Sequence, residues 1–264
     1  MKLLVVCVIA TLPVAAQWLR YPDAGAPRNP DGSVNLAAPA PKLADGKPDL
    51  SGIWVTEPDR SMQPGAPGDH TGASRYWLNI LSDFNATNTP LRPEAQQELN
   101  RRRAKSAVEN PRANCIPAGS PSGELGPDMY RIVQTPSALI MLYEQIRNFR
   151  EVYLDGRKPL VDPEPATLGY STGHWDGDTL VIEANGFNDK SWLDGGGHFH
   201  SASLKLTERY HRRDFGHMDL EIQIDDPLTF TRPFSIKVTQ LLRPDTVLLE
   251  DLCAEGERDI AHMK

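Results

Sequence analysis

The sequence lacks a long apolar segment beyond its first residues, and it contains little cysteine. Only 3 of its 264 residues are cysteine. No segment after residue 16 approaches the roughly 18 consecutive apolar residues that a membrane-spanning helix needs. These absences argue against a helical membrane protein and against a small scaffold held together by many disulfides. At this length we expect one large domain.

Basic clusters are also scarce. The longest basic run is Arg101-Arg102-Arg103, and the formal net charge is −7. Proteins that bind nucleic acids or anionic membranes usually carry a basic stripe or patch. The sequence therefore predicts neither kind of partner.

Several catalytic and cofactor motifs are missing. The sequence has no HExxH, no EF-hand loop, no closely spaced cysteine pair and no phosphate-binding glycine loop. The segments "GASRYW" and "AGSPSGE" lack the strand–turn–helix setting of a serine-hydrolase nucleophile. Serine-hydrolase and Rossmann-type functions are therefore not predicted, and no motif requires a cofactor.

Residues 1–16, MKLLVVCVIATLPVAA, have the composition of a cleavable signal peptide. Lys2 provides the charged start, residues 3–14 the apolar stretch, and Val14 and Ala16 the small residues before a cut ahead of Gln17. An uncleaved anchor is the alternative. The leader predicts a periplasmic or secreted protein.

Export changes the meaning of the cysteines. Cys7 leaves with the leader, so that Cys115 and Cys253 remain. In an oxidising compartment such a pair is predicted to form a disulfide bond. Two buried thiols are the alternative.

The mature chain divides into an arm and a domain. Residues 17–50 are rich in proline and predict an extended arm with turns. Residues 51–264 predict a single β-barrel domain with a helical insertion at about 75–109. The insertion holds two helical candidates, "RYWLNILSDF" and "RPEAQQELNRRRAKSAVE", and Pro93 suits the first turn of the second.

From about residue 129 the apolar pattern has a period of two, which is typical of strands. Eight or nine strands follow one another, separated mostly by short turns, and Asp176-Gly177 is the strongest hairpin signal. The helix–strand alternation of parallel sheets is missing. The pattern predicts a mainly β fold, an antiparallel meander closed into a lipocalin- or calycin-like barrel, with a β-sandwich as the alternative.

Two resemblances support the barrel. "SGIW" resembles the Gly-x-Trp opening of lipocalin-type barrels, here Gly52 and Trp54. The segments "DGKPDLSGIW", "GHWDGDTLVIEANGFND" and "TERYHRRDFGHMDLEIQIDDP" resemble a family of exported proteins from soil and marine bacteria that has no settled activity. This resemblance covers nearly the whole mature chain and implies architecture and location, but no reaction. Phe199 and Ala202 stand where that family has proline and glutamate.

The segment "DGGGHFHSASLKLTERYH", residues 194–211, is the principal candidate site. If the strand begins at His198, alternate residues share a face. That face carries His198, His200, Leu204, Leu206, Glu208 and Tyr210. We therefore expect the two imidazoles at the rim of the barrel, with Trp192 and Asp194 beside them. The glycines at 195–197 predict a mobile rim.

Two glutamates are predicted to be buried. Glu208 lies among apolar neighbours, where an unpaired charge is costly, so it needs a basic partner or a raised pKa. Arg131 and Arg150 are the candidate partners for a purely structural ion pair. Glu144 ends an apolar strand beside Tyr143 and is the second candidate carboxylate.

These residues define the predicted site. The catalytic candidates are His200, Glu208, Asp194 and Glu144, and His200 is the acid–base imidazole, oriented by Asp194 or Glu208. The ligand-binding candidates are Trp192, His198, Tyr210 and Tyr143. Alternatively, His198 and His200 could bind a divalent metal ion, with Asp194 as a third ligand.

Three function classes remain. The first is an exported small-molecule enzyme that uses acid–base side chains in a barrel cavity for hydration, isomerisation, cyclisation or hydrolysis. The second is a non-catalytic, lipocalin-like binder of an apolar or aromatic ligand. The third is a metal-dependent enzyme centred on His198 and His200. The first is favoured because the inward titratable groups exceed what a passive apolar pocket needs.

Overall fold

A computed structural model describes residues 21–57, 78–85, 87–105, 109–251 and 253. The predicted signal peptide lies outside the described residues. Nine strands form a closed barrel in chain order, and β9 pairs with β1. The strands are β1 (Gly52–Thr56), β2 (Tyr130–Gln134), β3 (Ala138–Tyr143), β4 (Asn148–Tyr153), β5 (Tyr170–Asp176), β6 (Thr179–Asn185), β7 (Lys205–Arg212), β8 (His217–Asp225) and β9 (Phe234–Leu242).

The barrel forms because apolar residues alternate along most strands. In β9, for example, every second side chain from Phe234 to Leu242 is buried. Such alternation places one set of side chains inside the barrel and the other outside. Asp176 pairs with Thr179 across a two-residue hairpin loop, in which Gly177 has a φ of +62°. The predicted mainly β barrel is confirmed.

One pair of neighbouring strands departs from the antiparallel pattern. Strands β4 and β5 are parallel, with Val152 opposite Ser171 and Tyr153 opposite Thr172. Parallel neighbours need a connection that returns the chain to the starting end of the first strand. Residues 154–169 make this return, and they contain three prolines.

Strand β7 begins later than predicted. It starts at Lys205, so the expectation of a strand from His198 is wrong. Competing hydrogen bonds explain the difference, because the amide of Ser201 donates to the carboxylate of Asp226 at 2.6 Å instead of to a neighbouring strand. Residues 198–204 therefore form a turn segment before the strand.

The helices of the described residues are few and short. Helix α1 spans Pro93–Arg103 and has proline in its first turn, as predicted. Helix α2 is the single turn Ser122–Leu125, and two 3₁₀ turns lie at Pro111–Asn114 and Gln145–Arg147. None of these helices is long and apolar enough to cross a membrane.

The first predicted helix, in "RYWLNILSDF", is wrong for its described residues 78–84. Residues 80–83 form a turn. The amide of Ile80 donates to Asp194 at 2.9 Å, and that of Leu81 donates to the side chain of Asn79 at 2.9 Å. These side-chain acceptors favour a local turn over a continuing helix.

The predicted disulfide is confirmed. Cys115 and Cys253 are bonded with 5.6 Å between their Cα atoms, and 138 positions separate them in sequence. The bond attaches the C-terminal end of the described chain to the segment that precedes helix α2. This segment leads directly into the candidate site.

Candidate functional site

A short segment of the chain closes one end of the barrel. We call residues 117–125 the plug; it contains helix α2. Ser120, Glu124 and Leu125 of the plug are at most 1% exposed. The main-chain oxygen of Glu124 accepts hydrogen bonds from the hydroxyl of Thr56 and, at 3.0 Å, from the amide of Gln240. The plug is thereby fixed to strands β1 and β9.

The plug brings Glu124 into a buried charge cluster with Arg150 and Glu208. The Arg150 Nη1 atom lies 2.9 Å from Glu208 Oε2 and 3.3 Å from Glu124 Oε1. The hydroxyl of Ser120 donates to Glu208 Oε1 at 2.8 Å, and Arg150 Nε donates to Ser171 at 2.9 Å. Glu208 is fully buried, so its predicted inward position is confirmed, and its partner is Arg150 rather than Arg131.

Strand register explains why these charges meet. Glu208 lies opposite Ile182 of β6 and Ile222 of β8, so it shares the inward face of both neighbours. Arg150 lies opposite Met141 of β3, which is also fully buried. Because partners across an antiparallel pair point to the same side, both charged side chains enter an otherwise apolar interior.

The cluster holds two carboxylates and one guanidinium. Burial and, second, the carboxylate of Glu208 raise the pKa of Glu124 to about 7, although Arg150 opposes the shift. The hydroxyl of Tyr143 donates to Glu124 Oε1. A carboxyl group with this pKa can both take up and release a proton near neutral pH.

Sequence reasoning did not identify Glu124. The plug has no strand or helix periodicity. Its segment "AGSPSGE" also lacks the strand–turn–helix setting of a nucleophile motif, so no pattern marks it as part of a site. The available signal is a glutamate directly before Leu125, in a segment with two glycines and two prolines. Nothing in the local sequence indicates that this segment enters the barrel.

Glu144 lies outside the cluster. The alternation of β3 turns Tyr143 inward and Glu144 to the other side, where it is only partly buried. Its carboxylate accepts the amides of Met129 at 3.2 Å and Leu249 at 2.7 Å. The predicted buried carboxylate at this position is therefore wrong, and Glu144 fastens the C-terminal segment to the barrel.

Asp194 organises the glycine loop. This buried carboxylate accepts the amides of Ile80 and Gly196, each at 2.9 Å, and lies 2.6 Å from His198 Nδ1. Gly197, whose φ is +82°, and Gly196 are both buried. The loop is thus a packed turn, and the mobility expected of its glycines stays a prediction.

His198 is held from both sides. Its Nδ1 atom donates to Asp194, and Arg103 Nη2 lies 3.3 Å from its Nε2 atom. Because arginine can only donate, this geometry fits a neutral imidazole with its proton on Nδ1. Arg103 Nε also donates to the Gly196 oxygen at 3.1 Å, which fixes the end of helix α1 to the loop.

His200 occupies a different environment. Its Nε2 atom is 3.0 Å from the Ser191 hydroxyl, its Nδ1 atom is 3.0 Å from the Ser201 carbonyl, and its ring packs edge-on against Phe187. The expectation that Asp194 or Glu208 orients His200 is therefore wrong. Burial lowers the pKa of His200.

The two histidines do not form a common site. All four ring nitrogens already have partners within the protein. Among the described residues, histidine, cysteine and carboxylate side chains form no group of three or more that could hold a metal ion. Residues at i and i+2 point to the same side only within a strand, and His198 and His200 lie before the start of β7.

Protonation of His200 should lower the stability of the protein. The folded state disfavours the charged imidazole, whereas the unfolded chain takes up a proton near pH 6.5. The contribution of His200 to the free energy of unfolding should therefore fall as the pH drops below 6.5, by up to about 1.4 kcal/mol per pH unit, and it opposes the contribution of Glu124 over the same pH range. Urea unfolding at pH 5–7 should show this slope reduced in His200→Gln and unchanged in the exposed control His211→Gln. Equal slopes in both variants would contradict the assignment.

A cleft of about 260 Å³ lies beside the plug. Trp192, Asp194 and Gly195 line one side, and plug residues including Ala118 and Ser122 line the other. A small cavity of about 10 Å³ shares Ala118, Ser122 and Gln145 with this cleft and extends to Tyr143. The cleft and the small cavity together point from the surface towards Tyr143, whose hydroxyl donates to Glu124.

Larger depressions lie elsewhere, but their chemistry differs. A groove of about 450 Å³ follows the outer face of β6–β9, and one of about 920 Å³ lies beside residues 21–25. Charged residues of the first groove, such as Lys237 and Glu221, form exposed ion pairs. Exposed pairs are weak and solvated, so we place the candidate site at the buried cluster.

No protein-family model, curated protein or solved structure matches the chain. The closed nine-strand barrel is consistent with a lipocalin- or calycin-like architecture. Functional conclusions therefore rest on the chemistry of the site itself.

Proposed function

We propose that the chain is an exported small-molecule enzyme that transfers protons inside its barrel, with Glu124 as the acid–base group. One observation carries the proposal: two buried carboxylates share one guanidinium, and the pKa of Glu124 is raised to about 7. A catalytic acid–base group works best when its pKa lies near the operating pH. Perturbed carboxyl groups beside a cleft are typical of active sites.

The cluster assigns distinct roles to its members. Arg150 lies closer to Glu208 than to Glu124, and Glu124 is the carboxyl whose pKa is raised towards neutral pH. Tyr143 orients Glu124 through its hydroxyl, and Ser120 bridges the two carboxylates, with Oγ 3.3 Å from Glu124 Oε2. Isomerisation through a carbon acid needs only such a base and a stabilised oxygen, and we favour it over hydration, cyclisation and hydrolysis.

Binding of a large apolar ligand is less well supported. Trp54, Tyr130 and Tyr210 are among the largest fully buried side chains, and they occupy the interior. A large apolar ligand that filled the interior would have to displace them. Small polar substrates that enter from the cleft fit the interior better.

We also propose that the protein is exported and that it is related to the exported bacterial barrel proteins it resembles. The disulfide is compatible with an oxidising compartment. We retain the cleavable leader and the resemblance to exported bacterial barrel proteins as parts of the proposal. Determination of the N-terminal residue of the protein from its native host tests the leader.

A proton-transfer enzyme can be tested without knowledge of its substrate. The purified protein is incubated in D₂O with a mixture of small carbonyl compounds, and mass spectrometry measures deuterium incorporation at carbon. We expect exchange with the wild type, loss of exchange in Glu124→Gln, and wild-type exchange in the control Glu183→Gln, whose side chain lies on the outer face. Equal exchange in both variants would overturn the role of Glu124.

A further inference from the structure

Among the described residues, three hydrogen-bond donors of the barrel interior have no partner, and the acceptor Gln240 Oε1 beside them has none either. Tyr130 OH, Tyr210 OH and Arg150 Nη2 form no hydrogen bond within the described part of the chain. Their side chains are at most 2% exposed. Buried donors without acceptors are costly and need an explanation, such as a ligand or an internal water molecule.

These groups surround the charge cluster already described. Tyr130 lies opposite Tyr143 across β2 and β3, and their rings are 5.9 Å apart. Tyr210 follows Glu208 by two positions and therefore shares its inward face. Arg150 Nη2 belongs to the guanidinium whose Nη1 atom holds both carboxylates. All three groups lie close enough to the carboxylates to interact with them electrostatically.

All three groups can donate a hydrogen bond. Arginine only donates, and burial and the neighbouring carboxylates raise the pKa of Tyr130 and Tyr210, so both hydroxyls stay protonated. A group that accepts several hydrogen bonds would satisfy all three donors. An ammonium ion cannot accept, and the two carboxylates disfavour an anion when Glu124 is ionised.

We propose that Tyr130, Tyr210 and Arg150 Nη2 bind the carbonyl oxygen of a small neutral ketone or aldehyde. This inference rests on the proposed function, because it supplies the substrate class for the proton transfer by Glu124. Removal of a proton from the carbon beside the carbonyl moves negative charge onto the oxygen. Donors directed at that oxygen stabilise the enolate as it forms. The proton goes to Glu124, which returns it to the same carbon or, in an unsaturated carbonyl compound, to the far carbon of the dienolate, so that the double bond moves.

The test uses cyclohexanone labelled with ¹³C at its carbonyl carbon, and cyclohexane as a probe without an acceptor. We expect NMR titration to show saturable binding of cyclohexanone and a downfield shift of its carbonyl signal. Tyr130→Phe and Tyr210→Phe should each weaken binding about tenfold, whereas Tyr153→Phe should bind like the wild type, because its hydroxyl contacts Glu151 outside the barrel. Cyclohexane offers no acceptor, so the same titration should show no saturable binding of it.

Thermal unfolding separates a binding role from a structural one. Removal of a buried hydroxyl without a partner should leave the melting temperature of Tyr130→Phe and Tyr210→Phe unchanged or raised. A large fall in melting temperature, wild-type affinity in both variants, or no binding of cyclohexanone to the wild type would overturn the inference. If cyclohexanone binds to Glu124→Gln but that variant still catalyses exchange, the binding site stands and the role of Glu124 fails.

Discussion

Replacement of Arg150 by methionine is expected to lower the free energy of unfolding by about 3–5 kcal/mol. The substitution leaves Glu208 and Glu124 buried without their cation, and the loss of one partner of a buried ion pair has effects of this size. Both side chains are fully buried, so water cannot screen the repulsion between the carboxylates. Urea-induced unfolding at pH 8 measures the change.

A matched control and a pH series make this result specific. Arg131 lies on the same sheet but is only partly buried, and Arg131→Met should change stability by no more than about 0.5 kcal/mol. In Arg150→Met the pKa of Glu124 should lie further above its unfolded value, because the cation that lowers it is gone. The destabilisation of Arg150→Met should therefore become smaller as the pH falls and larger as the pH rises. Similar stabilities of the two variants at pH 8 would show that the cluster is not a coupled unit.

Replacement of Glu124 by glutamine is expected to slow deuterium exchange into a carbonyl substrate about 10²- to 10⁴-fold, the usual contribution of a general base. In the wild type the carboxylate is the active form. Because the pKa of Glu124 is about 7, kcat/KM should rise with pH through 7 and then become constant. A rate that is independent of pH between 5 and 9 would exclude Glu124 as the base.

The stability of Glu124→Gln distinguishes lost catalysis from lost structure. Folding raises the pKa of Glu124, so the ionised carboxyl destabilises the wild type progressively as the pH rises from about 4.5 to about 7. Glutamine removes this dependence. The variant should be at least as stable as the wild type at pH 8, and its inactivity cannot then be explained by unfolding.

The barrel could be predicted from the sequence because apolar residues alternate along most of its strands. The face that carries Leu206, Glu208 and Tyr210 was assigned correctly for this reason. The start of β7 could not be predicted. Asp194 and Asp226 bind nearby backbone amides, and these contacts override the strand pattern between His198 and Leu204.

The acid–base site could be predicted only in part. Glu208 lies on a periodic strand, so its inward position follows from the pattern, but the pattern leaves both Arg131 and Arg150 open as its partner. The plug is irregular, and 88 positions separate Ser120 from Glu208 in sequence. Only the three-dimensional fold brings Glu124 to Arg150, and the local sequence carries no trace of that contact.

The central claim is that Glu124 carries a proton near neutral pH, and titration of its carboxyl group tests this most directly. The protein is labelled with ¹³C at the glutamate side-chain carboxyls, and NMR spectra are recorded from pH 4 to pH 9. The spectrum of Glu124→Gln identifies the resonance. We predict that this signal titrates with a midpoint near pH 7. A midpoint near pH 4.5, the ordinary value for glutamate, would contradict the account.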